Sequence, residues 1–378
     1  MSQLRTRTTT APTLRGNHRV WHILRPTGDL AALGPLKAGR PRSGVHRFDP
    51  RCFDSEEDLL VELALLGVDR IPPVYRLGTE DLLVHGYIEG EVLSALRPPG
   101  APLSDLHLDQ LVERFGGLAT IPPSALELVH SCPRPGRPRH GGEFMHGLVR
   151  FTRRHVYAVH RPELHRLFAA LRIDPGVLAA DGVLARAADR LTDRPFCLLH
   201  GDLHRDNLIV AQTDGALWTI DWELAMLGDP VYDLATHLHL MRYPRAQEFR
   251  MVTRWAEMMD QRLPGAARGL DRDLPRYLAY KRVQSVFTDV IRQGFEVRRT
   301  PPARLPEQLA RTARVVCSVL RAAAEPLGLG RMPSPRSVER AYAALHREHP
   351  TYTVRKRPER LSRSRGLPPM PHPRAARD

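Results

Sequence analysis

Lysine is nearly absent from this 378-residue chain: Lys37, Lys281 and Lys356 are the only three among 56 basic residues. So strong a preference for arginine points to a GC-rich coding sequence rather than to a function. Cysteine is scarce as well. Cys52, Cys132, Cys197 and Cys317 stand far apart with no CxxC pair, which argues against a zinc ribbon or a disulfide framework and for reduced thiols in a cytoplasm. No apolar run approaches the roughly 18 residues of a membrane span, and the first twenty residues lack the apolar stretch of a signal peptide. A cytoplasmic protein with no membrane partner is expected. What remains is ordinary for a globular chain: 42% hydrophobic and 26% charged residues exclude wholesale disorder. The length suggests two domains or one large bilobal unit.

The formal net charge of +14 sits largely at the ends. Residues 1–20 carry four arginines and no acid, and residues 351–378 carry eight basic residues and two acids. The middle is close to balanced, so no basic stripe on a folded face is implied and no nucleic-acid partner is expected. Residues 1–16 read as a flexible basic N-terminus and 351–378, rich in Pro, Arg and Ser, as a disordered basic tail. Between them, residues 17–96 read as a β-rich lobe. Strands are expected over 19–26, 43–48, 74–78 and 82–90, the last two pairing through Gly78-Thr79-Glu80-Asp81. Ser55 caps a helix whose Glu56 and Glu57 favour its positive end and which Gly67 closes. Residues 97–105 read as a linker and 106–350 as a mainly helical lobe with a Pro/Arg/Gly loop at 133–142. Val283, Val286, Phe287, Val290 and Ile291 recur at helical spacing.

The chemistry concentrates between Cys197 and Met241. Residues 208–211 and 216–220 flank an Asp214-Gly215 step, a hairpin-turn signal. The hairpin brings Asn207, at the base of one strand, to Asp221, at the end of its partner. Asp202 lies five residues before Asn207 in a loop entered from an apolar run. One carboxylate is thus free to face a substrate, while an amide and a second carboxylate are placed for a hard cation such as magnesium. Asp229 reads as a helix N-cap with Pro230 at the first helical position. His237 and His239 are two apart and face different ways on a helix, so they are no metal pair.

His200-Gly201-Asp202, Asn207, Ile220-Asp221-Trp222-Glu223, Gly228-Asp229-Pro230 and Asp233-Leu234-Ala235 together closely resemble the aminoglycoside phosphotransferase family, whose neighbours are choline kinases and related small-molecule kinases. The resemblance implies an α+β, bilobal protein-kinase-like fold with a small β-rich N-lobe and a larger, mainly helical C-lobe. It implies ATP and Mg2+ as cofactors and a small-molecule hydroxyl as phosphoryl acceptor. Asp202 would be the catalytic base, His200 would brace its loop, Asn207 and Asp221 would hold magnesium, and Asp229 and Asp233 would be structural. In the N-lobe, Arg47 would stand where the family usually has a lysine on the third strand, with Lys37 as rival. Glu56 or Glu57 would be its acidic partner, Glu57 being favoured. Backbone groups around Gly86, Tyr87 and Ile88 would meet the adenine. No GxGxxG loop is present. For the acceptor, an aminoglycoside-like antibiotic is expected first, with a sugar, nucleoside or amino alcohol such as choline as alternative. A catalytically inactive, kinase-like binding protein is the reading from another class, and Arg47 in place of lysine is its best support.

Overall fold

The structure, a computed structural model, describes residues 13–348 apart from 17–18, 43, 45, 78–81, 127–128 and 132–136. The expected tail at 351–378, the turn at 78–81 and part of the loop at 133–142 lie outside the described residues. So does the expected N-terminal tail apart from residues 13–16, and there Thr13–Arg15 form an edge strand rather than a tail.

Five antiparallel strands build the N-lobe: β1 (Thr13–Arg15), β2 (Arg19–Leu24), β3 (Leu36–Pro41), β4 (Val74–Leu77) and β5 (Leu82–Gly86), in the order β1-β2-β3-β5-β4. Helix α1 (Glu56–Leu65) packs beside the sheet. Ser55 Oγ accepts from the Asp58 N–H at 3.1 Å, and Leu59, Leu60 and Leu63 are buried. This is the helix expected from its cap.

The strand expected over 43–48 does not form, and the third strand is Leu36–Pro41 instead. Burial explains the difference. After Pro41 the chain leaves the sheet and packs on the other lobe: Phe48 is buried in the large helical core, and His46 stacks on Phe295 with ring centroids 3.9 Å apart. The lobes also meet earlier than expected. After Gly86 only three residues intervene before β6 (Gly90–Val92), which pairs with a C-lobe strand, β8 (Leu208–Ala211). A side chain at Gly90 would place its Cβ 2.2 Å from the Val210 carbonyl oxygen, so glycine is needed for this close approach. The crossing is therefore at 87–89, and 97–104 is a loop within the C-lobe.

The C-lobe continues through α2 (Leu93–Leu96), α3 (Asp105–Ala119), α4 (Gly141–Phe151), α5 (Ala158–Ala170) and α6 (Val183–Ala188). Short strands β7 (Cys197–Leu199) and β10 (Met226–Gly228) pair with each other, and β8 pairs with β9 (Leu217–Thr219). Then come α7 (Pro230–Met241), α8 (Arg245–Arg262), the 30-residue α9 (Leu270–Arg299), α10 (Leu305–Ala322) and α11 (Pro335–Glu348). The apolar stripe expected on α9 is wholly buried. No helix among the described residues is long and apolar enough to cross a membrane.

A buried polar tie sets the angle between these elements. Arg194 donates to both oxygens of Asp229, at 2.9 and 2.7 Å, and to Asp273 on α9. Tyr277 Oη adds a bond to Asp229 at 2.8 Å, and Asp229 Oδ1 also caps α7 by accepting from the Val231 N–H at 3.0 Å. The side chains of Arg194, Asp229 and Asp273 have no exposed surface. Arg194→Met would leave the buried Asp229 carboxylate without its cation and Asp273 with Arg276 alone. Breaking a buried pair costs about 3–5 kcal/mol, so the urea midpoint should fall steeply, and an unchanged midpoint in equilibrium unfolding would refute this role.

Candidate active site

From β7 the chain enters the loop His200–Asn207 through a glycine that no other residue replaces easily. Gly201 has φ +76°, and a Cβ there would lie 2.3 Å from the Leu224 carbonyl oxygen. Asp233, in the first turn of α7, accepts from the N–H of His200 at 3.0 Å and of Gly201 at 2.9 Å. Burial pushes the Asp233 carboxyl up to about 6, against the two N–H groups that favour its ionised form. His200 packs its ring on Trp222, and its Nε2 lies 3.2 Å from the Ile220 carbonyl oxygen. That contact requires the proton on Nε2 and leaves Nδ1 to accept from the Asp202 N–H at 3.3 Å. Burial lowers this imidazole to about 4, so it is neutral.

Asp202 is half-buried. Asn207 Nδ2 donates to the Asp202 carbonyl at 2.9 Å and to its Oδ2 at 3.0 Å, while His204 Nε2 lies 3.4 Å from the same carboxylate oxygen. Burial works to raise the Asp202 carboxyl, but His204, His200 and Lys281 hold it below the usual range. The hairpin forms as expected. Leu208 pairs with Thr219, and the Ile220 N–H donates to the Asn207 carbonyl at 3.0 Å, which brings Asn207 beside Asp221. Asp221 adopts the left-handed conformation, φ +63°. Its carboxyl is pushed up to about 7 by burial and by Glu56, Glu223 and Asp202, against the opposing charge of Lys37. Negative charge exceeds positive charge at this point. Asn207 uses its amide nitrogen on Asp202, which leaves its side-chain oxygen available as a metal ligand. A hard oxygen set in a field short of cations suits magnesium.

The N-lobe places Lys37, not Arg47, over this cluster. Lys37 lies on β3, with its Nζ 4.3 Å from the Trp21 ring centroid. Burial lowers its ammonium, while Glu56 and Asp221 oppose that shift. Arg47 is exposed in the irregular segment that follows β3. The two glutamates divide as well. Glu56 is buried and accepts from the Trp222 N–H at 3.0 Å, tying α1 to the residue after Asp221. Glu57 instead pairs with Arg19 and lies 3.1 Å from His85 Nε2; burial would raise it, but these partners hold it well below the carboxylate range. Glu223 is held by Arg19 and Arg51. At the hinge, the Gly86 N–H donates to Pro73 at 2.7 Å and the Tyr87 N–H to Pro35 at 2.9 Å.

His237 and His239 separate as expected: His237 bonds Leu203 and Tyr243, and His239 bonds Ser285. Sequence reasoning gave no role to His204 or Lys281 and ranked Glu56 below Glu57. The usable signal for Lys281 was composition, since lysine in an arginine-dominated chain is rare.

The profile of the phosphotransferase enzyme family matches residues 40–280. No curated protein matches the chain. Among solved structures, a choline kinase from Cryptosporidium parvum Iowa II is similar at 12% identity, covering 85% of this chain and 90% of that one, with a TM-score of 0.46. The choline kinase LicA from Streptococcus pneumoniae gives 17%, 82%, 94% and 0.44. The macrolide 2'-phosphotransferase MphH from Brachybacterium faecium gives 18%, 86%, 94% and 0.40. With the family profile spanning well over half its length, the bilobal chain built around Asp202, Asn207 and Asp221 belongs to the phosphotransferase enzyme family.

Proposed function

We propose that this protein transfers the γ-phosphoryl group of ATP to a hydroxyl of a small molecule in a magnesium-dependent reaction. The observation that carries the reading is the convergence of Asp202, Asn207 and Asp221, with Lys37 facing them from the N-lobe. Magnesium bound by Asn207 and Asp221 would neutralise charge on the phosphate oxygens. Phosphoryl transfer relies on positioning and charge neutralisation rather than covalent chemistry, and these residues supply both. Asp202, kept ionised, takes the acceptor's hydroxyl proton. His200 and Asp233 hold the loop that aims it, and Lys37 meets the phosphates as a point charge. At the hinge the Ile88 N–H has no partner among the described residues and, with the Tyr87 carbonyl, offers the adenine an edge to bond.

An aminoglycoside-like antibiotic and a sugar, nucleoside or amino alcohol such as choline all carry the hydroxyl this chemistry needs. The reading as an inactive binding protein leaned on arginine replacing the strand lysine, and with Lys37 on β3 that support is gone.

Three outcomes follow from these roles. Asp202→Asn should lower kcat by about 10²–10⁴-fold with nucleotide affinity by calorimetry unchanged; an unaltered turnover of labelled ATP would sink the assignment. Asn207→Ala and Asp221→Asn should each raise the magnesium concentration that gives half-maximal rate, and wild-type magnesium titrations for both would remove them as ligands. Lys37→Met should cut kcat/KM for ATP about ten- to a hundredfold, the size of a lost charge-assisted bond, whereas Arg47→Met should stay within about twofold. The opposite order in steady-state kinetics would restore Arg47.

A further inference from the structure

Lys37 is half-buried on β3 and faces the Asp221 cluster from the N-lobe. Glu56 and Asp221 attract its ammonium, yet among the described residues no carboxylate comes within ion-pair distance of Nζ and no hydrogen bond is made to it. The contact that Nζ does make is with the Trp21 ring, whose centroid lies 4.3 Å away. That separation is well inside the range in which an aromatic face attracts a cation.

The sheet is built to make this contact. Trp21 on β2 stands directly opposite Gly39 on β3, and Lys37, two residues from Gly39, lies on the same face of that strand. A side chain at Gly39 would place its Cβ 2.8 Å from the Trp21 ring, so the indole crosses β3 over a position that has none and reaches Lys37. His85, opposite Lys37 on β5, meets the indole edge-on, with ring centroids 5.0 Å apart and planes at 72°. His85 is itself buried and anchored 3.1 Å from Glu57 of α1. Arg19 lies 5.5 Å from the same ring, but Glu57 and Glu223 hold it. Of the two cations at the indole, Lys37 is the one no carboxylate ties down.

We propose that Trp21 is a positioning residue for Lys37: its indole holds the ammonium in place while leaving the N–H donors free for the nucleotide phosphates. The proposal rests on the reading of Lys37 as the cation that meets those phosphates. An ammonium carries three donors and no acceptor. A carboxylate partner would occupy donors that the phosphate oxygens need and would have to be displaced when ATP arrives. A ring face attracts the charge as a whole and takes up no donor in a directed bond, and indole is the strongest of the aromatic faces for this purpose. The same ring also keeps a flexible four-carbon stem from swinging toward Glu56, which already accepts from the Trp222 N–H.

The test uses the full chain with isotopically labelled lysine, in which Lys37, Lys281 and Lys356 give only three ε-methylene signals by NMR. Lys37→Met assigns the signal of interest. Protons over an aromatic face resonate upfield, so the Lys37 signal of the nucleotide-free wild type should be displaced upfield. It should return toward its ordinary position in Trp21→Leu, and in Gly39→Ala, which keeps both side chains and crowds the ring, and it should stay displaced in Trp21→Phe. Turnover of labelled ATP with magnesium, to water or to any hydroxyl acceptor, gives the second readout. Trp21→Leu should lower kcat/KM for ATP about three- to thirtyfold, the range of a partly desolvated cation–π contact, and Trp21→Phe should recover most of the loss. Added to Lys37→Met, Trp21→Leu should cost no more than about twofold further, because the two residues act through one contact. An equal loss with and without Lys37 makes Trp21 merely structural and overturns the proposal. So does a Lys37 signal at its ordinary position in wild type, one that Trp21→Leu leaves unmoved, or an unaltered kcat/KM in Trp21→Leu. A displaced Lys37 signal in a protein that turns over no ATP, or whose Lys37→Met variant is as active as wild type, overturns instead the reading of Lys37 on which the proposal stands.

Discussion

Asp233 is the point on which the active loop hangs. Its carboxylate, buried in the first turn of α7, takes the N–H groups of two successive residues, His200 and Gly201. That pair of bonds fixes the peptide before Asp202 against a helix that is itself fixed by Asp229, Arg194 and Asp273. Gly201 can make the turn only because it lacks a Cβ. Everything downstream inherits this position: the His200 ring between Trp222 and the Ile220 carbonyl, the Asn207 amide on Asp202, and through Ile220 the placing of Asp221. The base proposed at Asp202 would have to sit within about 3 Å of a reacting proton, and such a chain of fixed supports suits that demand.

Charge, rather than shape alone, joins the two lobes across this loop. The segment after Asp221 is held from above at two residues: the Trp222 N–H on Glu56, and Glu223 on Arg19 and Arg51. Arg19 also grips Glu57, so one guanidinium ties β2 both to α1 and to the segment after Asp221. The cost of this bracing is a crowd of carboxylates around Asp221, whose own carboxyl is pushed up by burial first and then by Glu56, Glu223 and Asp202. Lys37 answers part of that charge, and a divalent cation with a nucleotide would answer the rest.

How much of this was readable depended on how local each signal was. The helix at Ser55, the hairpin at Asp214-Gly215, the α7 cap at Asp229-Pro230 and the apolar stripe of α9 are set by neighbours within a few residues, and each forms as the sequence implies. The strand expected at 43–48 failed because alternation there served another surface. Phe48 and His46 face α9, more than two hundred residues away in sequence, and a short apolar run cannot say which partner it will bury against. The same blindness placed Arg47 on a strand and put the lobe boundary too late, since the β6–β8 pairing is also long-range. Glu56 and Glu57 illustrate the limit within a single turn: adjacent acids at one helix end face different partners, and only the packing of Trp222 and Arg19 decides which is which.

The two lysines retained outside the C-terminal tail sharpen that lesson. Arginine spreads its charge over a planar fork that needs a matching edge and room for five donors, whereas lysine delivers a compact charge at the end of a slender stem. Lys37 is half-buried and Lys281 buried, each lies beside an aromatic ring, and their charges act on different carboxylates, Glu56 and Asp221 for Lys37 and Asp202 and Asp233 for Lys281. In a chain where arginine serves nearly every other cationic position, the substitution that matters is the one composition would not supply.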